Sequence, residues 1–323
     1  MLYLNDRDIR AVGLDWPALL DALEAAVFTA DTGDYAQPIK PYLRYGDPRN
    51  RIIAMPAYVG GPVQAAGIKW IASFPDNINH GLPRAHSVMV LNDAQTGVPS
   101  AILNSPLTSI VRTASVSGLM MRAFLEEQPL EQINLGIIGW GPVGRLHYEM
   151  ALALYGDRIR RVRIYDLREV NLPEADVPAH YLEKTKAAAS WEEVYRSSDI
   201  FMTCTVSDHR YIHLPPTEGQ LLLNVSLRDY HSEALASVKA IIVDDWEEVC
   251  RENTDIERLH LEQGLTRSGT RTLADVVCRR SLAEFAGAEP ILFCPMGMGV
   301  FDIATGVYFA RRAREMGIGT ELT

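Results

Sequence analysis

The chain has 323 residues, 47% of them apolar and 22% charged, with a formal net charge of −10. That suits a globular protein of one large or two ordinary domains. The acidic balance excludes a nucleic-acid or anionic-membrane partner that binds through a basic surface, while leaving room for a small basic pocket.

In chain order, Met1-Leu2-Tyr3-Leu4-Asn5-Asp6 lacks the basic region and apolar core of a signal peptide. Asp15 can cap a helix with Pro17 in its first turn, and Leu19, Leu20, Leu23, Ala26, Val27 and Ala30 recur at helical spacing up to Gly33. Strand-like runs follow at Arg51–Val59, Ala66–Phe74, Ser87–Leu91 and Val98–Leu103, separated by turns at Gly60-Gly61-Pro62, Gly81-Leu82-Pro83 and Thr96-Gly97. This unit should be largely antiparallel. A long apolar helix spans Leu107 to Leu125. From Asn134 the rhythm becomes strand, helix, strand: Asn134–Ile138, Val162–Tyr165, Ile200–Thr203, Leu221–Val225 and Ala240–Val243 read as buried strands of a parallel sheet. A helix over Val300–Met316 closes the chain.

The expected fold class is therefore α/β, a Rossmann-type parallel-sheet domain at 113–299 plus a strand-rich substrate-binding and dimerisation domain at 1–112, completed by 300–323. No apolar run reaches the ~20 residues that span a bilayer. The scattered cysteines Cys204, Cys250, Cys278 and Cys294 favour reduced thiols in cytoplasm. The pair His209 and His213 lacks the further ligands zinc requires, so no metal is expected.

The strand Asn134–Ile138 leads into Gly139-Trp140-Gly141-Pro142-Val143-Gly144, where a helix begins. Gly139 permits the tight turn, Gly141 lets a pyrophosphate approach the backbone, and Gly144 lets the helix pack closely. The helix N-terminus offers unpaired N–H groups and a positive dipole to phosphates. Asp166 ends the next strand, where an acid accepts hydrogen bonds from ribose hydroxyls and repels a 2′-phosphate. NAD is the expected cofactor, with Arg168 the counterweight in favour of NADP.

Three cations sit where they are costly unless used: Lys69 in an apolar strand, Arg112 near the start of an apolar helix, and Arg44 in Pro41–Tyr45. A substrate carboxylate would answer them. The ordered set Pro41–Tyr45, Ile53-Ala54-Met55-Pro56, the Lys69 strand, Asn92-Asp93, Thr96-Gly97, Arg112-Thr113-Ala114, the glycine turn, Cys204-Thr205-Val206-Ser207, Asn224–Asp229 and Gly297-Met298-Gly299 with Asp302 resembles the ornithine cyclodeaminase/mu-crystallin family over nearly the whole chain. Arg51–Gly61, Lys69–Pro75 and Asn224–Tyr230 carry a nearer likeness to its dehydrogenases of 2,3-diaminopropionate biosynthesis in siderophore pathways.

The resemblance implies oxidation of N-(2-amino-2-carboxyethyl)-L-glutamate, with hydrolysis of the product imine to 2,3-diaminopropionate and 2-oxoglutarate. It implies that Arg44, Met55, Lys69 and Arg112 bind substrate and that Lys69 and Asp229 are catalytic. Arg112, Thr113, Gly139, Trp140, Gly141, Pro142, Val143, Gly144, Asp166, Thr205, Val206, Ser226, Leu227 and Gly299 are implied for the cofactor. A homodimer is implied as well. Ile53 stands where cyclodeaminases of the family carry a glutamate, and Leu227-Arg228 replaces a glycine pair; both count against cyclodeamination. Ketimine reduction, alanine dehydrogenation and cyclodeamination are the other chemistries on this frame, and a non-catalytic NAD-binding crystallin-like role is the reading from another class.

Overall fold

The computed structural model describes residues 1–172, 178–285 and 287–323. The elements run β1 (Leu2–Asn5), α1 (Asp6–Val12), α2 (Trp16–Asp31), β2 (Tyr35–Ala36), β3 (Tyr42–Leu43), β4 (Arg51–Val59), β5 (Ala65–Ser73), β6 (Ala85–Asp93), β7 (Pro99–Asn104) and α3 (Pro106–Glu127). They continue with β8 (Ile133–Ile138), α4 (Pro142–Tyr155), β9 (Ile159–Tyr165), β10 (Thr185–Ala187), α5 (Trp191–Arg196), β11 (Ile200–Thr203), β12 (Leu221–Asn224) and β13 (Ala240–Val243). Then come α6 (Trp246–Val249), α7 (Asp255–Gln263), β14 (Arg271–Thr272), α8 (Leu273–Arg279), β15 (Ile291–Cys294), α9 (Gly299–Met316) and β16 (Thr320–Glu321).

The chain forms two compact units, Met1–Ser115 with Gly297–Thr323, and Val116–Met296. The borders fall a few residues from those the sequence suggested, because Arg112 and Gly297 pack on each other. A Cβ on Gly297 would lie 2.5 Å from Arg112 Nη1.

In the first unit the sheet order is β16-β1-β7-β6-β5-β4-β2, with β3 also on β4. Strands β4 to β7 form antiparallel pairs, as their alternating patterns suggest. The sheet is mixed, however, because β1 runs parallel to β7. One face buries Met55, Ala57, Met89, Leu91, Ala101 and Leu103, and α9 lies on β4, β5 and β6. The helix approaches closely at Gly306, where a Cβ would meet Met89 Sδ at 2.3 Å. Helix α2 packs on α9, capped by the Asp15 carboxylate, which accepts from Ala18 N at 3.1 Å. The other face presents Ala54, Pro56, Ile68, Trp70, Val88 and Val90, none of them buried in the chain.

The second unit is a parallel sheet of order β10-β9-β8-β11-β12-β15-β13-β14, parallel at every pairing. β11, β12, β13 and β15 are buried at every residue, which is why they read as continuous apolar runs. The chain starts at β8, moves outward through β9 and β10, then returns to β11 on the other side. That reversal is the switch point at which α/β sheets bind ligands beyond the strand C-termini. Among the described residues, no helix is long and apolar enough to cross a membrane.

Candidate functional site

The functional side chains form two groups, one in each unit. In the second unit, the turn after β8 is built by steric demands at its glycines. Gly139 has φ +94°, and a Cβ there would lie 2.5 Å from the Cys204 carbonyl oxygen. A Cβ on Gly144 would lie 2.0 Å from the Gly139 carbonyl oxygen, so α4 can begin tight against the turn only with glycine. Gly141 is the N-cap of α4, Pro142 and Val143 open its first turn, and nothing lies within 4 Å of a Cβ on Gly141. Open space over an uncapped helix N-terminus suits a pyrophosphate. Asp166 Oδ2 accepts from Trp140 N at 2.7 Å, and Oδ1 accepts from Arg168 N at 2.9 Å. The acid thus braces the turn, and its charge stands where a ribose would be held. The Arg168 side chain is exposed and lies 3.6 Å from the same carboxylate. These residues fit a dinucleotide.

On the same sheet edge, the loops after β11 and β12 meet at Asp229, which is buried. Its Oδ1 accepts from Thr205 Oγ1 at 2.5 Å and its Oδ2 accepts from the Ser226 hydroxyl. Leu227 holds φ +66°, a left-handed conformation that a branched side chain seldom takes. Asn224 Oδ1 accepts from Leu227 N at 3.1 Å, and Leu227 O accepts from Asp255 N at 2.8 Å. Val206, 68% exposed, and Pro142, also exposed, are the residues expected around the cofactor that project into solvent in this unit.

In the first unit, Lys69 on β5 and Arg112 on α3 converge on Asp302 of α9. Asp302 Oδ1 accepts from Lys69 Nζ at 2.9 Å and from Arg112 Nε at 2.8 Å. All three residues are buried. Two cations thus share one carboxylate oxygen, and Oδ2 has no hydrogen-bond partner. Lys69 also donates to Ser109 Oγ at 3.3 Å. Burial, and after it the Arg112 guanidinium, pull the Lys69 pKa down to about 7; Asp302 opposes them and Lys40 adds to the depression. Met55 is buried and sits opposite Lys69 in the β4–β5 register. Gly299 starts α9, where a Cβ would press on Ala57 Cβ at 3.2 Å. The Thr113 hydroxyl donates back to Ser109 O at 2.9 Å.

Arg44 departs from expectation. It is exposed, donates to Pro48 O at 3.0 Å and lies 5.4 Å from the Tyr42 ring centre. Burial therefore gives no argument for it. The buried cation of that segment is Lys40, whose Nζ donates to Gly297 O at 2.7 Å. Lys40 stands between Ile39 and Pro41, and the reasoning applied to Lys69 could have found it. Asp302 entered the sequence reading only as part of the family pattern, without a role; an acid inside Val300–Ala304 was the signal that could have given it one. Among the described residues no group of three His, Cys, Asp or Glu could hold a metal ion.

A parallel sheet whose first strand ends in G-x-G-x-x-G and whose second ends in an acid defines a Rossmann-class dinucleotide-binding chain, here joined to a unit with a buried cation–carboxylate cluster. The profile of the ornithine cyclodeaminase/mu-crystallin family matches residues 10–315, and the chain belongs to that family. It is 34% identical to N-((2S)-2-amino-2-carboxyethyl)-L-glutamate dehydrogenase of Staphylococcus aureus, over 100% of this chain and 98% of that protein. It is 25% identical to alanine dehydrogenase of Archaeoglobus fulgidus, over 99% of this chain and 98% of that one. The fold is that of Δ(1)-pyrroline-2-carboxylate reductase of Thermococcus litoralis, solved with NADH and L-proline: TM-score 0.86, 23% identity, 100% of both chains.

Proposed function

We propose that this protein is an NAD-dependent dehydrogenase that oxidises a CH–NH bond of N-(2-amino-2-carboxyethyl)-L-glutamate or a close analogue. The observation that carries the reading is the Lys69–Asp302–Arg112 cluster. With Lys69 protonated, two buried cations on one carboxylate leave a net positive charge, and a further carboxylate, which favours that protonated form, is the ligand that completes it. Arg112, the more exposed of the two, is the residue to take it. The 34% identical relative supports the particular substrate, which carries several carboxylates. A metabolic role in supplying 2,3-diaminopropionate to siderophore assembly follows if that substrate is right. The open apolar face of the first unit's sheet, centred on Ile68 and Trp70, supports a homodimer. We place the reaction in the cytoplasm, where NAD is held.

Gly139–Gly144 and Asp166 would hold the dinucleotide, which when bound would supply the acceptor for the hydride leaving the glutamyl Cα. This chain's residues do the rest. The amine must be neutral for its lone pair to form the C=N bond, and Asp229 takes the amine proton. Thr205 and Ser226 fix the Asp229 carboxylate for that task. Water then adds to the C=N carbon, and cleavage of the C–N bond yields 2-oxoglutarate and 2,3-diaminopropionate. The balance is substrate, NAD⁺ and water to the two products, NADH and one proton.

The test is NADH formation with N-(2-amino-2-carboxyethyl)-L-glutamate beside L-alanine, L-ornithine and L-proline, with both products identified by mass. Turnover with the first and release of both products is expected. Higher kcat/KM with L-alanine or L-proline would move the protein to the chemistry of other family members, and no turnover with any amino acid would favour a binding role. A strictly monomeric species by light scattering would refute the dimer.

A further inference from the structure

Asp255, at the first position of α7, is buried, yet it faces Asp229 rather than solvent. Its Oδ2 accepts three hydrogen bonds: from Asp229 N at 3.0 Å, Tyr230 N at 3.2 Å and Asn224 Nδ2 at 2.9 Å. Its Oδ1 accepts from Arg210 Nε at 2.8 Å. Arg210 is itself anchored, donating to Asn253 O at 2.7 Å. With Asp255 N on Leu227 O, this one residue binds the backbone of the Asp229 loop at Leu227, Asp229 and Tyr230. A helix-capping role does not require this, because the N-cap of α7 is Thr254, whose hydroxyl accepts from Glu257 N.

We infer that Asp255, paired with Arg210, is the positioning residue for Asp229: it holds the loop that presents Asp229 and places a negative charge inside that loop's hydrogen-bonded network. The inference rests on the reading of Asp229 given above. Burial first, with Asp229 contributing, raises the Asp255 pKa to about 6, against the lowering influence of Asn224 and Arg210. The other titratable groups coupled to Asp229 stay neutral. Burial pushes Cys204, Tyr211, Tyr230 and Cys294 all upward. Arg228 directs its guanidinium to Glu252 O and Ser226 O, and His209 and His231 are exposed. Asp255 and Arg210 are thus charges built into the hydrogen-bonded network that holds the Asp229 loop.

The experiment is the pH profile of kcat for the full-length protein and three variants. Asp255→Asn can still accept from the Asp229 and Tyr230 amides but removes the charge, so the acid limb should move down by about one pH unit. Arg210→Gln removes the opposing charge, so the limb should move up, and it serves alone if Asp255→Asn does not fold. A purely structural role would lower kcat at all pH values and leave the limb in place in both variants, and that result overturns the inference. Asp229→Asn separates the two ideas. If it keeps kcat, the reading of Asp229 has failed; if it loses kcat while the limb of the other two stays fixed, only the role of Asp255 has failed.

Discussion

Asp302→Asn removes the carboxylate that, among the described residues, answers both Lys69 and Arg112, and its cost can be worked from the geometry. Asp302 Oδ1 accepts two bonds from charged donors, at 2.9 and 2.8 Å, with both partners buried. Charged hydrogen bonds contribute roughly 1.5–3 kcal/mol each. Removing one partner from a buried ion pair costs roughly 3–5 kcal/mol. Both routes lead to a loss of about 4 kcal/mol, a large part of the ~5–15 kcal/mol that stabilises a domain.

The pH dependence gives a second check on that variant. The folded Lys69 pKa is near 7, below its unfolded value of ~10.4. The unfolded chain therefore binds the extra proton between those values, and stability from this group rises with pH across that window. Asp302 is what holds the folded value up, so in the variant it falls further and the window opens at lower pH. The deficit should be greatest near pH 6, where the native lysine is charged and paired, and smaller near pH 9, where it is neutral in both proteins. Urea denaturation of both proteins at the two pH values reads this directly. A deficit under ~1 kcal/mol near pH 6, or one that does not change with pH, refutes the reasoning.

Three further outcomes follow from the second unit. Asp229→Asn keeps the shape of the side chain and removes its basicity, so kcat should fall by at least ~10² while NAD affinity holds; a change in NAD binding alone would make Asp229 a cofactor residue. Asp166→Ala should narrow the preference for NAD over NADP in kcat/KM, and should also weaken NAD binding because the Trp140 amide loses its acceptor. Equal use of both cofactors by the unaltered protein would contradict this. Gly144→Ala places a methyl group 2.0 Å from the Gly139 carbonyl oxygen, so α4 must move off the turn, and the NAD Kd measured by calorimetry should rise by about tenfold or more.

Five strands of the parallel sheet, β8, β9, β11, β12 and β13, and the glycine turn were legible in the sequence because their causes are local; β10, β14 and the central β15, four residues between Pro290 and Pro295, were not read. Strands covered on both faces read as unbroken apolar runs, and the sterics of Gly139 and Gly144 concern atoms only a few residues away or on the adjacent strand. β1 and β16 were not legible. β16 is a two-residue edge strand and β1 the four-residue strand beside it, and they pair from opposite ends of the chain, through Leu2 with Glu321 and Tyr3 with Thr320. Lys69 and Arg112 stood out as cations in apolar surroundings. Lys40, between Pro38 and Pro41, and Arg44, between Tyr42 and Tyr45, could not be told apart by that rule, and the fold exposed Arg44 and buried Lys40. Asp302 and Asp255 look like ordinary helix acids in the sequence, since both fall in the first turn of a helix, where a negative charge is favoured. Their partners come from remote parts of the chain: Lys69 and Arg112 for one, Arg210, Asn224 and the Asp229 amide for the other. A side chain's charge is written in its own codon, but whether water or another buried group answers that charge depends on which segments packing brings together.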